Sequence, residues 1–227
     1  MANIAITGAA RGIGFELTRQ YATAGDRVFA FCRNPAKADS LNRLASENRG
    51  IKVMEMDVTR DESVKRAASE TGDAPIDVLL NVAGITGQAN PQLESSDWSE
   101  WIEVFNTMTM GPLRVLQSFL PHMKAGAKVM NITSTLGAST WPFGGYYAYA
   151  AAKAGLNRLT RSVAIDLRER GIIVGVIHPG YVQTDMGGPN ADITPQESAE
   201  GIRKVTSEWT LDRTGDFMSW NGEPHPW

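Results

Sequence analysis

A strand that runs straight into a glycine loop and then into a helix leaves a chain few ways to fold. This chain opens that way. Asn3-Ile-Ala-Ile-Thr7 is a short apolar run, Gly8-Ala-Ala-Arg-Gly12-Ile-Gly14 follows at once, and a helical pattern continues through Phe15, Leu17 and Tyr21 to Gly25. Glycines let a backbone come close to a diphosphate, and the start of a helix offers unpaired N–H groups to its charge. The spacing is GxxxGxG rather than GxGxxG, and glycines can also simply make a turn. A strand before and a helix after is the context that phosphate binding requires, so binding is favoured.

The alternation continues along the chain. Residues 27–32 read as a second strand ending at Arg33-Asn-Pro35, and residues 51–56 as a third that delivers Asp57. Residues 60–71 pattern as a charged helix. Residues 76–80 are a nearly continuous apolar run, as a central parallel strand covered on both faces requires, and they end in Asn81-Val-Ala-Gly84. A loop rich in Gly, Gln, Asn and Pro (86–92) precedes a long helix over about 97–122, which Gly111-Pro112 should bend or divide. Residues 127–132 form a fifth strand ending in Thr133-Ser134-Thr135, and a helix carrying Tyr149 and Lys153 runs to about Arg170. A sixth strand over 172–177 opens onto His178-Pro179-Gly180. Residues 181–193 read as a flexible segment, 195–209 as a helix and 215–220 as a last strand.

Strands alternating with helices predict an α/β fold with a parallel sheet of about seven strands, helices on both faces, and one domain over residues 1–227. Ligands of such sheets sit at the carboxyl ends of the strands. Gly8 to Gly14, Arg33, Asp57, Asn81, Ser134 and Pro179-Gly180 all fall at such ends, which predicts one site.

Composition narrows the function. The net charge is −3 with no basic run, which argues against nucleic acid or an anionic membrane as partner. One cysteine, Cys32, excludes an intrachain disulfide and a thiolate zinc cluster, and the three scattered histidines lack ligand spacing, so no metal is expected. The chain passes from Met1 into an apolar strand without a basic leader, so a cytoplasmic location is expected.

Two further features carry chemistry. Tyr149 and Lys153 are four apart on a helix and share a face. An ammonium beside a phenol stabilises the phenolate, so the tyrosine can exchange a proton near neutral pH. Tyr146 and Tyr147 meet only Ala150 and Ala151 four residues on. Tyr and Lys four apart are also common on helices for packing alone. At the end of the second strand an NAD-preferring site would carry an acid for the ribose 2′-hydroxyl. This chain has Cys32 and Arg33 there, with Arg11 in the glycine loop. Two guanidiniums and no carboxylate suit a 2′-phosphate, hence NADP(H) over NAD(H), although Arg33 could also be a solvated loop residue.

Thr7-Gly-Ala-Ala-Arg-Gly-Ile-Gly14, Asp57, Asn81-Val-Ala-Gly84, Ser134, Tyr149-xxx-Lys153 and Pro179-Gly180, in that order, resemble the short-chain dehydrogenase/reductase family over essentially the whole chain. Cys-Arg-Asn-Pro after the second strand, Gly111-Pro112-Leu113 and the Pro-Trp ending look like the C-factor/sniffer-type carbonyl reductases. The resemblance implies a Rossmann-type doubly wound sheet and NADPH-dependent, reversible reduction of a small ketone or aldehyde. Tyr149 would be the general acid/base, Lys153 would hold the nicotinamide ribose and favour the phenolate, and Ser134 would hydrogen-bond the substrate oxygen. Gly8, Gly12 and Gly14, with Ile13 among them, would surround the pyrophosphate, Arg11 and Arg33 would meet the 2′-phosphate, and Asp57 with Val58 the adenine. Asn81, Ala83 and Gly84 would line the adenosine ribose. Pro179, Gly180, Val182 and Thr184 would border the nicotinamide, and a segment over about 181–209 would close over the substrate. Trp141, Phe143, Tyr146 and Tyr147 would make an aromatic pocket or serve as core. A homo-oligomer is compatible with the resemblance.

The chain departs from the family at two places. It has Val82 where the family has a second asparagine. The family's helical relay asparagine stands three residues before its Gly-Pro, which here is Met108, and the nearest asparagine is Asn106. Two residues are a turn of about 200° on an α-helix, so Asn106 faces elsewhere unless the helix is irregular. A rival function follows from the same likeness: a cofactor-binding signalling or redox-sensing protein with little turnover.

Overall fold

The apolar runs become seven strands: β1 (Asn3–Thr7), β2 (Arg27–Cys32), β3 (Ile51–Glu55), β4 (Val78–Asn81), β5 (Lys128–Ile132), β6 (Ile173–His178) and β7 (Phe217–Ser219). The computed structural model describes residues 1–87 and 95–227, so residues 88–92 of the loop expected at 86–92 lie outside the described residues. The strands form one sheet in the order β3-β2-β1-β4-β5-β6-β7, and every pairing is parallel. The order reverses between β1 and β4, where the turns after the two strands part and open a crevice.

Among the described residues seven α-helices return the chain: α1 (Gly12–Thr23), α2 (Asp39–Glu47), α3 (Asp61–Ser69), α4 (Trp98–Phe105), α5 (Gly111–Phe119), α6 (Tyr147–Leu167) and α7 (Pro195–Glu208). Successive strand residues point to opposite faces, so each strand feeds two cores. Ile4, Ile6, Val28 and Ala30 pack under Leu17 and Tyr21 of α1, Leu41 of α2 and Ile202 of α7. Ala5, Phe29, Phe31 and Val174 pack under Val64 of α3, Val115 and Phe119 of α5, and Leu167 of α6. This is the expected sheet with helices on both faces. Each of those fully buried large side chains contributes about 1.5–3 kcal/mol.

Two local features position the site. Thr194 and Glu197 form a reciprocal capping box with Pro195 in the first turn, which fixes where the chain after β6 becomes helix again. Between α4 and α5, residues Asn106–Met110 form a π-helical turn. Pro112 has no N–H for the Met108 carbonyl, and its ring would clash with that carbonyl in a regular helix. The wider turn just before it removes the conflict. The helix expected over about 97–122 is therefore divided near Gly111-Pro112, and the irregularity lies where Asn106 and Met108 sit.

Candidate active site

Gly8 (φ +70°) turns the chain sharply out of β1, and a Cβ there would lie 2.8 Å from the Cα of Ala83, so only glycine lets the two loops touch. The Thr7 hydroxyl accepts from the N–H groups of Val82 and Ala83 at 3.0 and 3.2 Å, locking the loop after β4 onto the end of β1. At Gly14 a Cβ would lie 2.3 Å from the Gly8 carbonyl oxygen, which brings the first turn of α1 down onto the glycine loop. Arg11 is the N-cap of α1 and gives it no side-chain cap, and no acid stands in its first turn. The leading N–H groups of α1 therefore keep their affinity for an anion.

A cavity of about 910 Å³ extends from this loop to α6. Of the residues singled out in the sequence, Gly8, Arg11, Gly12, Ile13, Gly14, Arg33, Asp57, Val58, Ala83, Gly84, Tyr149, Lys153, Pro179 and Thr184 line it. Asp57 accepts from the Thr59 N–H at 3.0 Å and from its hydroxyl at 2.6 Å, which fixes the carboxylate. Four others stand behind the wall. Asn81 donates to Asn131 at 2.8 Å and ties β4 to β5. Gly180 (φ +88°) faces Ile193 and Trp220, and Val182 is buried in a bridge to Ile193. Ser134 lies just beneath the surface, its hydroxyl close to the Tyr149 phenol and accepting from the Leu136 N–H at 3.2 Å.

Asn106 does not reach the cavity. Its amide oxygen accepts from Arg114 at 3.1 Å and its nitrogen approaches the Thr59 carbonyl at 3.4 Å. Thr107 and Met108 of the same π turn line the cavity instead. Met108 is 1% exposed, in a small apolar cluster with Val104, Ala148 and Ala152 that also takes the ring of Tyr149.

The Tyr149–Lys153 pair differs from the expectation in one respect. Lys153 donates to the Ile132 carbonyl at 2.7 Å, and its ammonium lies over the Tyr149 ring, 5.8 Å from the centroid. Burial pushes the Tyr149 pKa up, and the hydrogen bond from Ser134 opposes it. Burial also lowers the Lys153 pKa to about 8. Without cofactor, desolvation outweighs any help the ammonium gives the phenolate, so the phenol stays protonated at neutral pH.

Arg11 is also differently engaged. It pairs with Asp185 at 2.7 Å, both side chains about three-quarters exposed at 74% and 75%, and so joins the glycine loop to the segment after β6. At the end of the cavity formed by β2 the cations are Arg33 and Lys37, and among the described residues neither is in an ion pair. Lys37 was not singled out in the sequence. The signal for it was Pro35, which opens a 3₁₀ turn (Pro35–Lys37) that returns the chain to the cavity.

These features agree with comparisons to known proteins. The short chain dehydrogenase family profile matches residues 2–193. C-signal of Myxococcus xanthus is 37% identical over 163 residues, 70% of this chain and 98% of its own. The crystal structure of NADPH-bound carbonyl reductase from chicken fatty liver is 33% identical with a TM-score of 0.93, covering 100% of this chain and 99% of that one. Carbonyl reductase Sniffer of D. melanogaster is 29% identical, also with a TM-score of 0.93, over 100% of both chains. With its glycine loop, parallel sheet and Ser134–Tyr149–Lys153 arrangement, the chain belongs to the short-chain dehydrogenase family.

Proposed function

We propose that this protein reduces a small ketone or aldehyde to the alcohol, reversibly, with NADP(H) as its cofactor and Tyr149 as the proton donor. The observation that carries this is Tyr149 with Lys153 over its ring, at one end of a cavity that begins on a glycine loop, and Ser134 just behind that wall. The uncapped N-terminus of α1 fits a diphosphate, and Arg33 with Lys37 at the β2 end fits a 2′-phosphate. When bound, NADPH supplies the hydride that adds to the carbonyl carbon.

The protein's own residues do the rest. Gly8, Gly12, Ile13 and Gly14 receive the diphosphate, and Asp57 and Val58 border the adenine. Asn81, through Ala83 and Gly84, shapes the ribose wall, and Pro179, Gly180, Val182 and Thr184 border the nicotinamide. Lys153 holds the ribose hydroxyls once it releases the Ile132 carbonyl. Ser134 donates to the substrate oxygen, and Tyr149, protonated at neutral pH, gives its proton as charge builds on that oxygen. Residues 181–209 cover the substrate, with Met186 already on the cavity wall.

The test is NADPH absorbance with a panel of small ketones and aldehydes. Carbonyl-dependent loss of the NADPH signal is expected. Likeness to a protein named C-signal supports a second reading, a cofactor-binding signalling protein. Tight NADPH binding with no turnover across the panel would favour that one.

A further inference from the structure

Ser134 lies between a neighbouring hydroxyl and a backbone carbonyl that a single side chain holds. Asn157, on α6 two turns beyond Tyr149, is 3% exposed. Its Oδ1 accepts from the Thr133 hydroxyl at 2.5 Å, and its Nδ2 donates to the Gly137 carbonyl at 3.1 Å. Thr133 immediately precedes Ser134, and Gly137 closes the 3₁₀ turn (Thr135–Gly137) that Ser134 caps. That turn presses on α6 so closely that a Cβ at Gly137 would lie 2.8 Å from the Cβ of Lys153. With Lys153 bonded to Ile132, one face of α6 grips the chain on both sides of Ser134.

We propose that Asn157 is a positioning residue for the reduction: its amide clamps Thr133 and Gly137 and thereby sets the Ser134 hydroxyl against Tyr149. This rests on the assignment of Tyr149 as proton donor. Asparagine presents a short acceptor and a short donor on one plane, which is what a hydroxyl on one side and a carbonyl on the other require. Leucine would leave both buried groups unpaired, and the chain around Ser134 would relax away from α6. The groups facing the Tyr149 phenol are the Ser134 hydroxyl and, from α6 itself, the Lys153 ammonium, while Met108 closes the other side as an apolar wall. Moving Ser134 therefore takes away a neighbouring hydroxyl that favours the phenolate.

The experiment is a double-mutant cycle of Asn157→Leu and Ser134→Ala, with Tyr149→Phe as reference. Turnover, NADPH affinity and the ultraviolet titration of the Tyr149 phenol are measured for each. Asn157→Leu should lower turnover about 10- to 100-fold with NADPH affinity unchanged, the scale expected of a misplaced reacting group. It should cost little more once Ser134 is alanine, because residues acting through one another do not add. The Tyr149 phenol should titrate at higher pH in both single variants. Additive losses, or a Tyr149 titration unmoved by Asn157→Leu, would overturn the assignment. Should wild type show no carbonyl reduction, or Tyr149→Phe reduce as fast, the proposed reaction falls by itself. The titration then decides for Asn157: a raised midpoint supports the clamp and an unchanged one rejects it. If Asn157→Leu does not fold, Thr133→Val removes half the clamp and is read the same way.

Discussion

Replacing Lys153 with methionine should stabilise the cofactor-free protein at neutral pH and weaken its grip on NADPH. The lysine is 6% exposed and its ammonium donates to the Ile132 carbonyl. Burial holds its pKa at about 8 against 10.5 for a solvated lysine, so at pH 7 the buried charge costs about 3 kcal/mol. Methionine has a similar length and no charge, but leaves the Ile132 carbonyl without its donor, at a cost of about 1–2 kcal/mol. The net gain is about 1–2 kcal/mol, or roughly 2–8 °C in Tm for a chain of this size. The pH dependence gives the sign. The unfolded chain keeps the proton up to about 10.5 and the folded one only to about 8, so wild-type stability rises relative to the variant across that window. The advantage of methionine should be full below about pH 8 and gone by about pH 10. Urea melts of both cofactor-free proteins at the two ends of the window, with NADPH titrations alongside, provide the measurement. A variant less stable than wild type at neutral pH, or a gap that ignores pH, would refute the reasoning.

Three other outcomes are expected. NADPH should bind more tightly than NADH, and Arg33→Asp should narrow or reverse the preference; equal affinities in the wild type would count against a 2′-phosphate site. Tyr149→Phe keeps the ring and NADPH binding but should lose about 10²- to 10⁴-fold in turnover, while Tyr146→Phe and Tyr147→Phe cost far less. Turnover near wild type in Tyr149→Phe would remove the proton donor from the scheme. Asn106→Ala should lower stability by about 1 kcal/mol through its lost bond to Arg114 and leave turnover alone; a several-hundredfold loss in turnover would instead make Asn106 a relay residue.

The strands and the glycine loop were legible because buried parallel strands must be apolar and must end where the sheet meets its ligand. Tyr149 and Lys153 were legible because a helix puts residues four apart on one side. Helix α2 went unread: it is only nine residues long, and its apolar face is just Leu41 with Leu44 and Ala45 beside it. The π turn announced itself only through Gly111-Pro112, since the conflict it resolves is between Pro112 and a carbonyl four residues back. Arg11 and Asp185 are 174 positions apart, and no local pattern links them. The rise in the Tyr149 pKa was not legible, because spacing reports which groups are near and not how far both have left water.

The hydrogen bonds from α6 to the chain after β5 divide the molecule unevenly. Ser134, Tyr149 and Lys153 hang from a strand and a helix that share both a core and a buried polar seam. The stretch from Tyr181 to the capping box at Thr194 is held mainly by bonds within itself, such as Gln183 with Ile193 and Ala191, and it reaches the glycine loop through Arg11–Asp185. Substitutions at its exposed positions, such as Tyr181 and Met186, leave the proton chemistry untouched, so what the protein accepts can change while how it reacts stays fixed. For directed evolution the choice follows directly: diversify exposed positions such as Tyr181 and Met186, and leave Val182, Thr184 and the seam alone.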